Sequence, residues 1–153
     1  MTPRTFVTLT CFGLVFVVTG LLLTEAVASS VLELSNLKLD SFKKEIRKHD
    51  LIFVNFYFSW CIWAKRFAPK YERAAKILAK NKPPVTFAKF NCGAKQNAIC
   101  ENFAKIKASP TVRIYRWGQM IEYDGEYETA DLIETARTLL EDPSYYKSDD
   151  HFR

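Results

Sequence analysis

The residue best placed to do chemistry is Cys61. It follows an aromatic and branched run, Leu51 to Phe58, and opens a stretch with helical spacing. At a helix N-terminus, unpaired amide N–H groups and the helix dipole favour negative charge, so the thiol pKa falls and thiolate accumulates near neutral pH. Thiolate is the attacking form in disulfide exchange. Cys61-Ile62-Trp63-Ala64 puts an alanine, not a second sulfur, three residues on. The other cysteines are Cys11, Cys92 and Cys100. His49 and His151 are isolated, and no cysteine spacing suits a metal, so neither metal nor cofactor is expected. Gly-rich phosphate loops, a Ser-His-Asp arrangement and Asn-x-Ser/Thr sites are absent from the sequence. Glu33 and Asp131 have no evident partner and read as surface charges.

The elements that must position Cys61 follow from periodicity. Leu51 to Phe58 (LIFVNFYF) is a nearly continuous apolar run, too short for a long helix, and reads as a buried central strand with Asn55 as its one polar member. Trp63 to Asn81 reads as a helix with Phe67, Tyr71, Ala74, Ala75, Ile77 and Leu78 inward and a kink at Pro69. Val31 to Leu34, Val85 to Asn91, Thr111 to Arg116 and Met120 to Tyr123 read as strands, the last two joined in a hairpin at Trp117-Gly118. Helices are expected over Asp40 to His49, capped by Asp40 or Ser41, over Asn97 to Lys105, and over Thr129 to Glu141, capped by Thr129. The order βαβαβαββα makes an α/β protein with parallel strands joined by helical crossovers and an antiparallel edge.

The first residues read differently. Arg4 precedes an apolar run from Phe6 to Leu23, and Ala26-Val27-Ala28 supplies a small-residue cleavage site. That pattern is a secretory signal peptide over 1–28, with a membrane anchor as the competing reading because the run approaches a spanning length. Removal leaves 29–141 as one domain and 142–153 as a polar tail. Secretion permits disulfides. It also leaves an odd number of cysteines, Cys61, Cys92 and Cys100, so at least one is free or joined to another molecule.

Composition excludes other classes. Of 153 residues, 48% are hydrophobic and 25% charged, with 5 Gly and 6 Pro, which does not describe a disordered or collagen-like chain. The net charge is +5. Many bases fall in Lys65-Arg66, Lys70, Arg73, Lys76, Lys80 and Lys82, read as the solvated face of one helix. Without a compact basic run no nucleic-acid partner is expected; attraction to acidic client proteins is compatible with the charge.

Val54-Asn-Phe-Tyr-Phe-Ser-Trp-Cys61, followed by Lys65-Arg-Phe-Ala-Pro69-Lys-Tyr-Glu-Arg-Ala-Ala75, resembles the active-site strand and helix of a thioredoxin-like domain of the protein disulfide isomerase family. Ser109-Pro110-Thr111 resembles that family's cis-proline strand. The resemblance runs from about Val31 to Leu140. It implies a thioredoxin fold, a mixed central sheet with helices on both faces, and Cys61 facing Pro110. It also makes the departures visible. The family's Cys-x-x-Cys is here Cys-Ile-Trp-Ala, so the site is degenerate: the second thiol, which attacks the mixed disulfide and releases substrate, is replaced by Ala64. The family's buried acid is replaced by Asn55, and its arginine near the last strand by Glu126-Tyr127 after Gly125. Ile62-Trp63 stand where a Gly-His pair is common and bring no charge to the thiolate.

The resemblance further implies that the cysteine pair Cys92 and Cys100 closes a structural disulfide, although two free thiols, or one that resolves Cys61, remain open. Cys61 is then the candidate monothiol nucleophile. Trp60, Ile62, Trp63, Ser109 and Pro110 are the candidate partner-binding surface, unless Phe58 and Trp60 belong to the core. The expected protein sits in the endoplasmic reticulum lumen or is secreted, and binds client or partner chains in a chaperone-like way without dithiol oxidoreductase activity. The nearest analogy is a multidomain member of the family that holds clients through a Cys-x-x-Ser site. Weak monothiol disulfide isomerase activity and a redox-inert docking module are the alternatives.

Overall fold

The computed structural model describes residues 30–93 and 98–141. The leader, the small-residue cleavage site and the tail lie outside these residues. Five strands form one sheet: β1 (Val31–Glu33), β2 (Ile52–Tyr57), β3 (Thr86–Asn91), β4 (Thr111–Arg116) and β5 (Gln119–Glu122). Their order is β1-β3-β2-β4-β5. β1, β3 and β2 run parallel, and β4 and β5 are antiparallel additions. The helices are α1 (Leu39–Ile46), α2 (Ile62–Leu78) and α3 (Thr129–Glu141), with a turn of π-helix at Ile99–Phe103. This is the thioredoxin fold, in the expected order.

β2 holds the middle of the sheet because both its faces are apolar. Phe53 joins a core with Phe67, Tyr71, Phe87, Val112, Ile114 and Leu132 under α2 and α3. Ile52, Val54 and Phe56 point the other way, to Phe42, Ile46, Phe90 and Tyr115 under α1. A strand buried on both faces is what a parallel sheet between helical layers requires. Phe42 lies edge-on to Phe90, Phe103 and Tyr115, tying α1 to the sheet and to the π-helical turn.

Several element ends differ from the expectations. α1 begins at Leu39 with Lys38 as its cap residue and no side-chain cap, so neither Asp40 nor Ser41 plays that role, and it ends at Ile46. Burial of Phe42 and Ile46 sets the helix phase, and the first turn takes whatever residues precede them. Thr129 is the first residue of α3, and its hydroxyl donates to the Lys70 carbonyl at 3.1 Å, fastening α3 to α2 instead of capping its own helix. Ile77, expected inward, is exposed. α2 runs unbroken through Pro69, although that ring removes one backbone donor from the ladder. Glu33 is not an unpartnered surface charge: it accepts from the Ser35 amide at 3.1 Å and lies 3.7 Å from the Lys89 ammonium.

Tyr71 is the main polar tie between α2 and the sheet. Its buried hydroxyl lies 2.9 Å from the carbonyls of Phe53 on β2 and of Ala88 on β3. Burial pushes its phenol pKa well above the ordinary value, so it remains a donor. Replacing Tyr71 with Phe removes that donor from two buried acceptors. A destabilisation of about 1–3 kcal/mol is expected by chemical denaturation; an unchanged midpoint would contradict the role of this hydroxyl in fixing α2.

Candidate functional site

Cys61 is the cap residue of α2, with extended backbone torsions (φ −74°, ψ 122°). Its own N–H donates to the Phe58 carbonyl at 2.9 Å, and its carbonyl accepts from Lys65 at 3.1 Å. β2 ends, the chain turns through Ser59 and Trp60, and the helix starts under the sulfur. α2 has no acid in its first turn, so no side-chain charge offsets the positive end of the helix.

Across from the sulfur stands the start of β4. The Ser109–Pro110 peptide bond is cis. The Cys61 Sγ is 3.2 Å from the Ser109 carbonyl, and the Ser109 hydroxyl accepts from the Phe58 amide at 3.0 Å. Ser109 therefore locks the loop before β4 to the end of β2. Cys61 is 9% exposed. Its pKa is held below the ordinary thiol value: the Ala64 backbone N–H contributes most, the Ser109 side-chain hydroxyl next and the Trp63 N–H least, against an opposing effect of burial. A depressed pKa means that the thiolate favours the folded state above the unfolded value, and that this contribution disappears as pH falls through the folded value.

The surface around the sulfur is apolar and open. Trp60 is 74% exposed, Ile62 54% and Trp63 63%. Trp60 thus faces solvent, with its ring stacked on half-buried Phe58 at 5.3 Å between centroids. Ser109 and Pro110 are half-buried beside it. The Arg66 guanidinium lies over Trp63 at 5.1 Å, a contact foreshadowed by their three-residue spacing on one helix.

Ala64 is buried, and below it lies a cavity of about 180 Å³ lined in part by Asn55, Tyr57, Phe58, Ala64, Tyr71 and Lys89. Asn55 is 5% exposed, and its Oδ1 has no hydrogen-bond partner among the described residues. Ala64 and Asn55 contribute a methyl and a carboxamide, neither of which titrates, while Lys65, Glu72 and Lys89 also line this cavity. At Gly125 a Cβ would meet the Tyr123 hydroxyl at 2.7 Å, so that turn is filled by an aromatic ring.

Cys92 and Cys100 are joined by a disulfide, with sulfurs 2.11 Å apart. Both are buried in the core on the α1 side of the sheet. Cys61 is the free cysteine among the described residues. No group of three or more His, Cys, Asp or Glu that could hold a metal occurs among those residues. No helix there is long and apolar enough to cross a membrane.

A sequence model of the thioredoxin family matches residues 33–138. The chain belongs to the thioredoxin family. Its relatives are protein disulfide isomerases. It is 38% identical to the protein disulfide-isomerase of Medicago sativa over 61% of this chain and 19% of that one. It is 34% identical to mouse protein disulfide-isomerase A4 over 65% of this chain and 15% of that one. The chain thus spans a fifth or less of the length of these relatives. Among solved structures, the first thioredoxin domain of mouse protein disulfide-isomerase A4 superposes with a TM-score of 0.66 at 25% identity, over 82% of this chain and 85% of that one. Human ERp44 superposes at 0.62 with 27% identity, over 70% of this chain and 33% of that one.

For this thioredoxin domain the lowered thiol pKa has a direct readout. Alkylation of Cys61 in the native protein is expected to reach half its maximal rate at a pH below the ~8.5 of a free cysteine. A midpoint at or above that value would show that the helix end does not favour the thiolate.

Proposed function

We propose that this domain is a single-thiol member of the disulfide isomerase group that captures partner or client chains in the secretory pathway, in the endoplasmic reticulum lumen or outside the cell. The observation that carries the reading is a thiol of lowered pKa with a methyl group, Ala64, where a resolving sulfur would have to stand. The Cys61 thiolate attacks one sulfur of a partner disulfide. The new bond joins Cys61 to that sulfur; the old S–S bond breaks, and the departing sulfur leaves as thiolate with the electron pair and takes up a proton from water. Release requires an external thiolate to attack the mixed disulfide and regenerate the Cys61 thiolate. The domain itself is neither oxidised nor reduced in net terms.

The partner surface in this reading is Trp60, Ile62 and Trp63 on one side of the sulfur and Ser109 and Pro110 on the other. A contiguous exposed apolar rim next to a reactive group suits an unfolded or extended segment. Asn55 supports the monothiol reading, because an amide does not relay a proton to or from a second cysteine.

Two substitutions test it. Cys61→Ser is expected to abolish disulfide-linked complexes on non-reducing gels while leaving the fold intact; undiminished complexes would remove Cys61 from the mechanism. Ala64→Cys adds a thiol one helical turn from Cys61 and is expected to confer insulin reduction at least about tenfold above the parent, a difference worth roughly 1.4 kcal/mol in barrier. Robust insulin reduction by the unaltered protein would contradict the proposal. Failure of Cys61 to react with thiol reagents would leave a redox-inert docking module.

A further inference from the structure

We propose that the partner segment captured at Cys61 is acidic on one side of its cysteine, and that it is read by a basic stripe running from the apolar rim down the exposed face of α2. The inference rests on the capture reading above and names the chemistry of its partner.

α2 carries Lys65, Arg66, Lys70, Arg73 and Lys76 against a single acid, Glu72. Lys70 is held by Glu128. Among the described residues no carboxylate lies within ion-pair distance of Lys65, Arg66, Arg73 or Lys76, and all four are exposed. At 3.6 residues per turn, Ile62, Arg66, Pro69, Arg73 and Lys76 fall within about 80° of arc. The stripe therefore begins at the rim and continues as unpaired positive charge along one line of the helix. A face of this kind attracts anionic chains and is less screened where an apolar neighbour excludes water. The apolar part would hold a leucine or aromatic residue beside the captured cysteine, with the Trp63 ring already flanked by Arg66.

Helix rise puts Arg66 about 7 Å, Arg73 about 18 Å and Lys76 about 22 Å along the axis from Cys61. An extended chain advances about 3.3 Å per residue. Carboxylates roughly two, five and seven residues from the captured cysteine would lie over those three bases. A polypeptide is favoured over a membrane or a nucleic acid because the same surface ends at a thiol poised for a cysteine partner.

The test uses the intact protein and three synthetic peptides, each with one cysteine activated as a 2-thiopyridyl disulfide. All carry leucine next to the cysteine; aspartate, lysine or serine occupies positions two, five and seven. Attack by the Cys61 thiolate on the peptide sulfur releases 2-thiopyridone, whose absorbance gives the rate. In low salt the aspartate peptide is expected to react about tenfold faster than the lysine peptide, with the advantage shrinking to about twofold or less in 0.5 M salt. Arg73→Glu with Lys76→Glu should remove the preference and leave the rate with 2,2′-dithiodipyridine unchanged. Equal low-salt rates for aspartate and lysine peptides would overturn the proposal. So would tighter binding to phosphatidylserine vesicles than to the aspartate peptide.

A second readout separates this proposal from the capture reading. Dye-labelled peptides with serine in place of the cysteine report docking by fluorescence anisotropy without any covalent step. A Cys61 inert to 2,2′-dithiodipyridine would end the capture reading, while at least tenfold tighter docking of the aspartate peptide than the lysine peptide would still uphold the stripe. Equal docking of the two would overturn it whatever Cys61 does.

Discussion

The site depends on one arrangement: a sulfur atom at the positive end of a helix whose first amides point at it. The Ala64 and Trp63 N–H groups stabilise the thiolate, and they can do so only because α2 starts at Ile62. That start is in turn fixed by what lies under the helix. Phe67, Tyr71, Ala74 and Leu78 are buried against the sheet, and the Tyr71 hydroxyl reaches the carbonyls of two neighbouring strands. A rotation of α2 that exposed these residues would also turn the amides away from Cys61. The packing of the core and the acidity of the thiol are consequences of the same helix phase.

The opposite wall of the site is held by a different device. Ser109 accepts from the Phe58 amide at the end of β2, and its carbonyl faces the sulfur. The two parts of the chain are joined by an antiparallel pairing in which Phe56 lies opposite Thr111. Sheet register therefore determines the width of the cleft. The Cys61 thiol is held between a helix end and a strand end, both rooted in the centre of the sheet, while Trp60, Ile62 and Trp63 stand exposed around it.

The disulfide between Cys92 and Cys100 has a separate place in the molecule. It lies in the core on the α1 side, with Phe90 and Ile99, whereas Cys61 belongs to the opposite end of the α2 story, where helix polarity and the Ser109 loop meet. Pairing of those two cysteines leaves Cys61 as the free cysteine among the described residues. A cavity lies under Ala64 beside the Asn55 Oδ1, which has no hydrogen-bond partner among the described residues.

Much of this was legible in the chain. The order of strands and helices follows from hydrophobic period, because a strand buried on two faces and a helix buried on one leave different patterns in sequence. Cys61 is legible as the residue between a buried strand and the start of a helix, and Ala64 as a missing sulfur. Helix ends were not legible: Asp40, Ser41 and Thr129 are good caps by residue type, yet Lys38 precedes α1 and Thr129 turns its hydroxyl to Lys70. Cap preference is worth about 1 kcal/mol, less than the burial of Phe42 or Leu132 that sets where each helix lies. Glu33 gained Lys89 as a partner only when β1 and β3 were placed side by side, while Ser35 lies two residues along the same chain. The sequence by itself determined the fold, the place of Cys61 between a buried strand and a helix, and the absence of a sulfur at position 64. The tertiary structure alone decided that Trp60 is exposed, that Ser109 closes the site, and that Lys65, Arg66, Arg73 and Lys76 have no carboxylate within ion-pair distance among the described residues, since each depends on which distant segments come within a few ångströms of one another.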